Sequence, residues 1–180
     1  MNTTADRYDR LTRTFHWLTA VVVIFMFASA HIWENLERGT PLRKGLQSVH
    51  ISLGIAMAVL IVARILWRLL GGNFPKTQAH PTLNVLAHAA HGCLYLLLLA
   101  QIVLGFMFRW AQGEPFSFFG LFSVPAPFII DPDWRHTLGG LHNNVGWAII
   151  LLAGLHAGAA LWHHYVMGDG TLRRMLGGRS

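Results

Sequence analysis

The sequence predicts an all-α integral membrane protein, an antiparallel four-helix bundle with both termini on the cytoplasmic side. Three observations lead there. Of 180 residues, 53% are hydrophobic and only 12% charged, with a mean hydropathy of +0.43, too apolar for an ordinary soluble domain and too short for many spans. The apolar residues gather into four runs, each close to or above the ~20 residues that a helix needs to cross a bilayer. The basic residues divide unevenly between the two sides these runs define. Arg7, Arg10, Arg13, Arg64, Arg68, Lys76, Arg173, Arg174 and Arg179 lie on one side, and Arg38, Arg43, Lys44, Arg109 and Arg135 on the other. Lys and Arg collect on the cytoplasmic face of membrane proteins, which puts both termini there. One membrane domain over residues 1–180 is expected.

The first helix is expected over about residues 15–33, where FHWLTAVVVIFMFASAHIW is free of charge. The polar stretch before it holds acids as well as bases, and the run continues past signal-peptide length without a clear cleavage site, so it is taken as a retained span. The loop ENLERGTPLRKG follows, where charges and Pro41 end the span and turn the chain back. A second helix is expected over about 46–69, its last turns carrying Arg64 and Arg68, which can snorkel to headgroups or reach a buried acid. GGNFPKTQAHP is a turn by composition, and a third helix covers about 84–108, closed by Arg109. Between Arg109 and Trp134 the chain is apolar but broken by Pro115, Pro125 and Pro127, which predicts an interfacial or capping loop and not a span. The fourth helix is expected over about 137–166, followed by a polar tail.

That fourth helix organises the chemistry. From His136 to Met167 there is no Asp, Glu, Lys or Arg, yet five histidines, and polar groups inside a membrane span are costly enough to imply a function. His142, His156 and His163 follow one another at multiples of seven residues, so they share one helical face with a drift of only ~20° per heptad. At 1.5 Å per residue, His142 and His156 lie about 21 Å apart along the axis, near opposite ends of the hydrocarbon layer. His16 stands at the level of His156, and His50 at the level of His142. Two imidazoles from different helices of a bundle are what a six-coordinate haem iron requires, one on each side of the ring. Glycines 54, 139, 140, 146, 154 and 158 lie within a turn or two of these positions and offer backbone relief for a flat macrocycle. His88 and His91 compete at the cytoplasmic level, and His31 and His136 at the outer one; spacing alone leaves these exchanges open.

Other classes fit less well. A net charge of +6 placed by the positive-inside pattern is no nucleic-acid signal. Cys93 has no intrachain disulfide partner. Zinc sites usually bring a carboxylate or cysteine beside histidine, and no acid lies inside a span. A proton channel needs ionisable groups at mid-membrane, where this helix has Ile149, Ile150, Leu151 and Leu152. Tryptophans 17, 33, 67, 110, 134 and 162 fall near span ends, as interface belts do, and Met26, Met57 and Met107 read as packing residues.

FHW in the first span, VHISLGI in the second, LAHAAHGCLYLL in the third and GLHAGAALWHHYVMGDGTLRRM at the end resemble the bacterial cytochrome b561 family of di-haem inner-membrane proteins, over nearly the whole chain. The resemblance implies two haem b groups, with His16 and His156 as axial ligands of the cytoplasmic one and His50 and His142 of the outer one. Leu141, His142 and Asn143 stand where the family usually has tryptophan, histidine and often an acid, which changes the ligand's surroundings. It further implies ubiquinone as lipid-side partner and superoxide as donor at the periplasmic face, that is, a quinone-linked oxidoreductase of the superoxide oxidase kind. Arg38, Arg43, Lys44, Arg109 and Arg135 would offer a positive approach, against Glu34, Glu37, Glu114, Asp131 and Asp133 on the same side. His163 or His164 would contact quinone or a haem propionate. The alternative is a haem-bearing membrane anchor that docks a soluble dehydrogenase or periplasmic cytochrome and performs no substrate chemistry.

Overall fold

The computed structural model describes residues 8–71, 81–114 and 116–177; Arg7, Lys76, His80, Pro115 and Arg179 lie outside them. Four helices, α1 (Arg10–Glu34), α2 (Pro41–Leu70), α3 (Pro81–Ala111) and α4 (Arg135–Tyr165), carry the chain back and forth, and each is long and apolar enough to cross a membrane. All four start earlier than the apolar runs do, because their ends continue into polar and basic turns at the interface. Pro41 was expected to close the loop after the first span; instead it opens α2, as Pro81 opens α3. The first turn of a helix is where proline's missing N–H costs nothing and its fixed φ helps.

The caps show how α1 is bounded. The Asp9 carboxylate accepts from the Thr12 backbone N–H at 2.8 Å, and at the far end Arg43 Nη1 donates to the Trp33 and Leu36 carbonyls, each at 2.7 Å. These contacts satisfy groups that the helix leaves unpaired at its ends. They also commit Arg43 to a structural role.

The closest packing joins α1 to α2 and α3 to α4, with α2 against α3 and α1 against α4 completing the bundle. At its centre Met57, Ile61, Leu98 and Ile149 form the buried core, flanked by Val22, Val23, Leu60, Ile102 and Val145. Met57 is thus a packing residue, as expected. Val21, Val59, Leu96, Leu151 and Leu155 point outward, which is the side that lipid covers in a spanning bundle.

The segment after α3 does not cross. It folds into a hairpin of β1 (Phe116–Phe118) and β2 (Phe122–Val124), with Phe118 paired to Phe122, and then a single 3-10 turn at Pro132–Trp134. Phe119 and Gly120 take positive φ at the tip, 47° and 74°. The hairpin is fastened to the bundle by two contacts. Phe116 is buried and stacks on Phe106 at 4.2 Å. Ser52, fully buried on α2, accepts from the Phe119 N–H at 2.8 Å and donates to the Ser48 carbonyl at 2.8 Å. The hairpin therefore caps one end of the bundle, while the start of α1 and the end of α4, the terminal end, lie at the other.

The tail is more ordered than its composition suggested. A Gly168–Asp169–Gly170 turn, with both glycines at positive φ (66° and 67°), leads into a short helix α5 (Thr171–Leu176). Its Met175 carbonyl accepts the Trp17 indole N–H at 3.2 Å, tying the tail to the start of α1.

Candidate cofactor sites

At the hairpin end, α2 carries His50 and α4 carries His142, and their ring centres lie 6.3 Å apart. At the terminal end, His16 of α1 and His156 of α4 stand at the same separation, 6.3 Å. Two imidazoles on opposite sides of one metal ion place their ring centres about 6 Å apart, given a metal–nitrogen bond of about 2 Å and the size of the ring. Among the described residues no group of three or more His, Cys, Asp or Glu side chains is placed to hold a metal ion unaided. A porphyrin supplies four nitrogens itself, so two protein ligands suffice for it.

The hairpin-end pair borders a cavity of about 330 Å³ between the helices, lined by His50, His142, Met26, Gly54, Gln101 and Gly105 among others. His50 Nδ1–H donates to the Met26 carbonyl at 3.1 Å, which fixes the tautomer and leaves the Nε2 lone pair for another partner. The Trp33 ring packs edge-on against it at 4.9 Å. His142 Nε2 accepts from the Gln101 side-chain amide at 3.2 Å. Its Nδ1 and the Gln101 Oε1 are buried without a hydrogen-bond partner among the described residues. Buried polar atoms left unpaired call for an explanation: with Nε2 accepting, Nδ1 carries the proton, and this N–H and the Gln101 Oε1 beside a cavity fit a bound polar group, while metal binding at Nε2 requires the Gln101 amide to withdraw. Space is kept for the ring by Gly105, where a Cβ would come within 3.0 Å of His142 Cε1.

The terminal-end pair is differently dressed. Arg64, expected either to snorkel or to reach an acid, turns inward: its Nη2 donates a long bond, 3.4 Å, to His16 Nδ1, and its guanidinium lies 5.2 Å from the centre of the Tyr95 ring. An arginine can only donate, so this contact sets the His16 proton on Nε2. Metal binding at that nitrogen requires Arg64 to withdraw. His91 also belongs to this cluster, its ring centre 5.0 Å from that of His156.

The remaining histidines separate clearly. His88 is exposed and its Nδ1–H donates to the Asn84 carbonyl at 2.7 Å, which removes it from the cluster. His31 donates to the Phe27 carbonyl at 2.9 Å and packs against Trp147; it lines the cavity without facing His142 as His50 does. His136 is exposed beside Arg135. His163 Nδ1 pairs with Asp169 Oδ2 at 2.6 Å, and His164 Nδ1 is buried with no partner among the described residues.

Three participants escaped the sequence argument: Gln101, Gly105 and Arg64 in its inward pose. Gln101 did leave a signal, as the lone amide in LLLLAQIVLG, since a polar side chain inside a span is itself a mark of function. Of the glycines singled out for relief, Gly139 and Gly146 meet close neighbours and Gly54 ordinary ones, whereas Gly140, Gly154 and Gly158 face open space.

Residues 7–178 match the family of prokaryotic cytochrome b561. The chain is 35% identical over 177 residues to cytochrome b561 homolog 2 of Escherichia coli K12, covering 97% of this chain and 93% of that protein. It is 33% identical over 171 residues to the probable superoxide oxidase CybB of Yersinia pestis, covering 94% and 96%. It is 31% identical over 176 residues to a cytochrome b562 of Cereibacter sphaeroides, covering 94% of each. A membrane bundle with paired histidines at two levels is a geometry suited to an intramembrane electron carrier. The chain belongs to the prokaryotic cytochrome b561 family, and with it to the multi-pass inner-membrane electron-transfer proteins that carry haem b.

Proposed function

We propose that this protein carries two haem b groups, held by His50 with His142 and by His16 with His156, and passes electrons from a donor at the periplasmic face to the quinone pool. The observation that carries this is the repeated 6.3 Å separation of two cross-bundle imidazole pairs at two levels. Bound haem iron supplies reversible one-electron carriage. The chain's part is to fix two axial nitrogens per site, exclude water with the Met57–Ile61–Leu98–Ile149 core between the levels, and manage charge at each face. Both termini lie in the cytoplasm by the distribution of Lys and Arg, so the hairpin end is periplasmic.

Superoxide is the donor and ubiquinone the acceptor in this proposal. Two superoxide anions release two electrons and leave as dioxygen; one quinone takes those electrons with two protons to become quinol. The name of the Yersinia pestis relative supports the donor. On the hairpin-end face Arg38, Lys44 and Arg135 are exposed cations that can meet a small anion locally, interspersed with the exposed carboxylates of Glu34, Glu37, Glu114, Asp131 and Asp133. On the cytoplasmic side the Asp169 carboxylate accepts from His163 Nδ1–H at 2.6 Å, which orients the imidazole and leaves Nε2 as its second site for a quinone or propionate, and His164 stands beside it as a further quinone or propionate contact.

The docking alternative draws on one observation: the hairpin and the loop after it expose Leu121, Phe122, Phe128 and Ile129, the last 98% exposed. Purified protein supplied only with superoxide and ubiquinone separates the two. Quinol formation at one per two superoxide consumed, above the uncatalysed rate, is expected. Absence of turnover until a soluble partner is added would favour the anchor.

A further inference from the structure

The cavity at the hairpin end is graded in polarity. Its inner part is walled by Met57, Leu98 and Ile149, all buried in the core. Toward the end of the bundle its wall includes Glu34, Gln112 and Arg109. Among the described residues lining it, Arg109 is the only lysine or arginine. It stands in the last turn of α3 with its side chain 22% exposed, bonded through Nη2 to Glu114 Oε2 at 2.5 Å and through Nη1 to Gln112 Oε1 at 3.2 Å. Glu114 lies beyond the helix and is 59% exposed. A carboxylate reaching in from solvent thus occupies the guanidinium at the mouth of an apolar cavity.

A haem carries two carboxylates on one edge and hydrocarbon elsewhere. An apolar cavity with one polar end accepts such a molecule in one sense only, because a carboxylate placed against the inner wall would be desolvated and unpaired. The guanidinium fork matches a carboxylate with two parallel hydrogen bonds, which no other cavity-lining side chain offers.

We propose that Arg109 is the positioning residue for a propionate of the haem between His50 and His142, and that Glu114 competes for the same guanidinium. This rests on the assignment of a haem to that pair. A cation held at the ring edge favours the ferrous over the ferric state, so Arg109 raises the potential of this haem and leaves the other untouched.

Potentiometric titration of the purified holoprotein, followed at the haem absorption bands, tests it; the His50→Ala protein supplies the spectrum of the remaining haem for subtraction. In Arg109→Gln the outer haem is expected to shift toward ferric by roughly tenfold in the ferrous-to-ferric ratio at fixed potential, about 59 mV for one electron, with the inner haem unmoved. Arg109→Lys, keeping charge without the fork, falls by less. Glu114→Gln breaks the same ion pair but does not lower the potential. Loss of the outer haem alone in Arg109→Gln supports the same contact. An unchanged outer potential in Arg109→Gln overturns the proposal, as does an equal fall in Glu114→Gln, which would make the pair a structural tie. A wild type with one haem per chain overturns the underlying assignment instead, and haem quantitation registers that separately.

Discussion

His50 and His142 face each other across the bundle at 6.3 Å between ring centres, and Gly105 on a third helix stands close enough to His142 that even a methyl group would touch it at 3.0 Å. Three helices are therefore set at one depth around a single opening. Gly105→Val tests this relationship. The added side chain must displace the His142 ring, and small-to-large changes at packed sites cost about 1–3 kcal/mol. The variant is expected to insert and keep one haem while losing the other, read from haem per protein; full occupancy would mean that Gly105 does not guard the site.

Ser52 lies fully buried two residues from His50 and accepts the Phe119 N–H from the hairpin tip. In Ser52→Ala that N–H, on half-exposed Phe119, loses its partner, a net cost of about 0.5–1.5 kcal/mol. The expected result is faster amide hydrogen exchange in the hairpin and a lower unfolding temperature, with both haems retained. Exchange as slow as wild type would show that the hairpin is held by Phe116 alone.

His91 approaches His156 more closely than His16 does, 5.0 Å against 6.3 Å between ring centres. Proximity is not opposition: a haem needs a ligand on each face, and the 6.3 Å spacing of His16 and His156 has room for a metal with both its bonds. His16→Ala should remove one haem and His91→Ala none. The reverse outcome would make His91 the ligand.

The four spans were legible because lipid imposes a demand that can be counted along the chain: long runs without charge, closed by arginines and glycines. Depth was legible too, since helix rise converts the separation of His142 and His156 into a distance. What the sequence could not convey was rotation of one helix against another. That Gln101 and Gly105 face His142, that Arg64 turns inward to His16, and that His91 but not His88 joins His156 all depend on which face each helix shows its neighbours. Pro41 misled for a different reason. Proline both stops helices and starts them, and only the position of the preceding cap tells which. The hairpin was hidden by the prolines that flank it in sequence, Pro115, Pro125 and Pro127, and by a turn that places Phe119, not only Gly120, at positive φ.

The central claim, two haems clasped by two named histidine pairs, meets its most direct test in reduced-minus-oxidised spectra with haem quantitation on the wild type, His50→Ala and His156→Ala. Two haems per chain are predicted for the wild type and one for each variant, with different residual spectra because each variant empties a different level. Full haem occupancy in both variants would contradict the account.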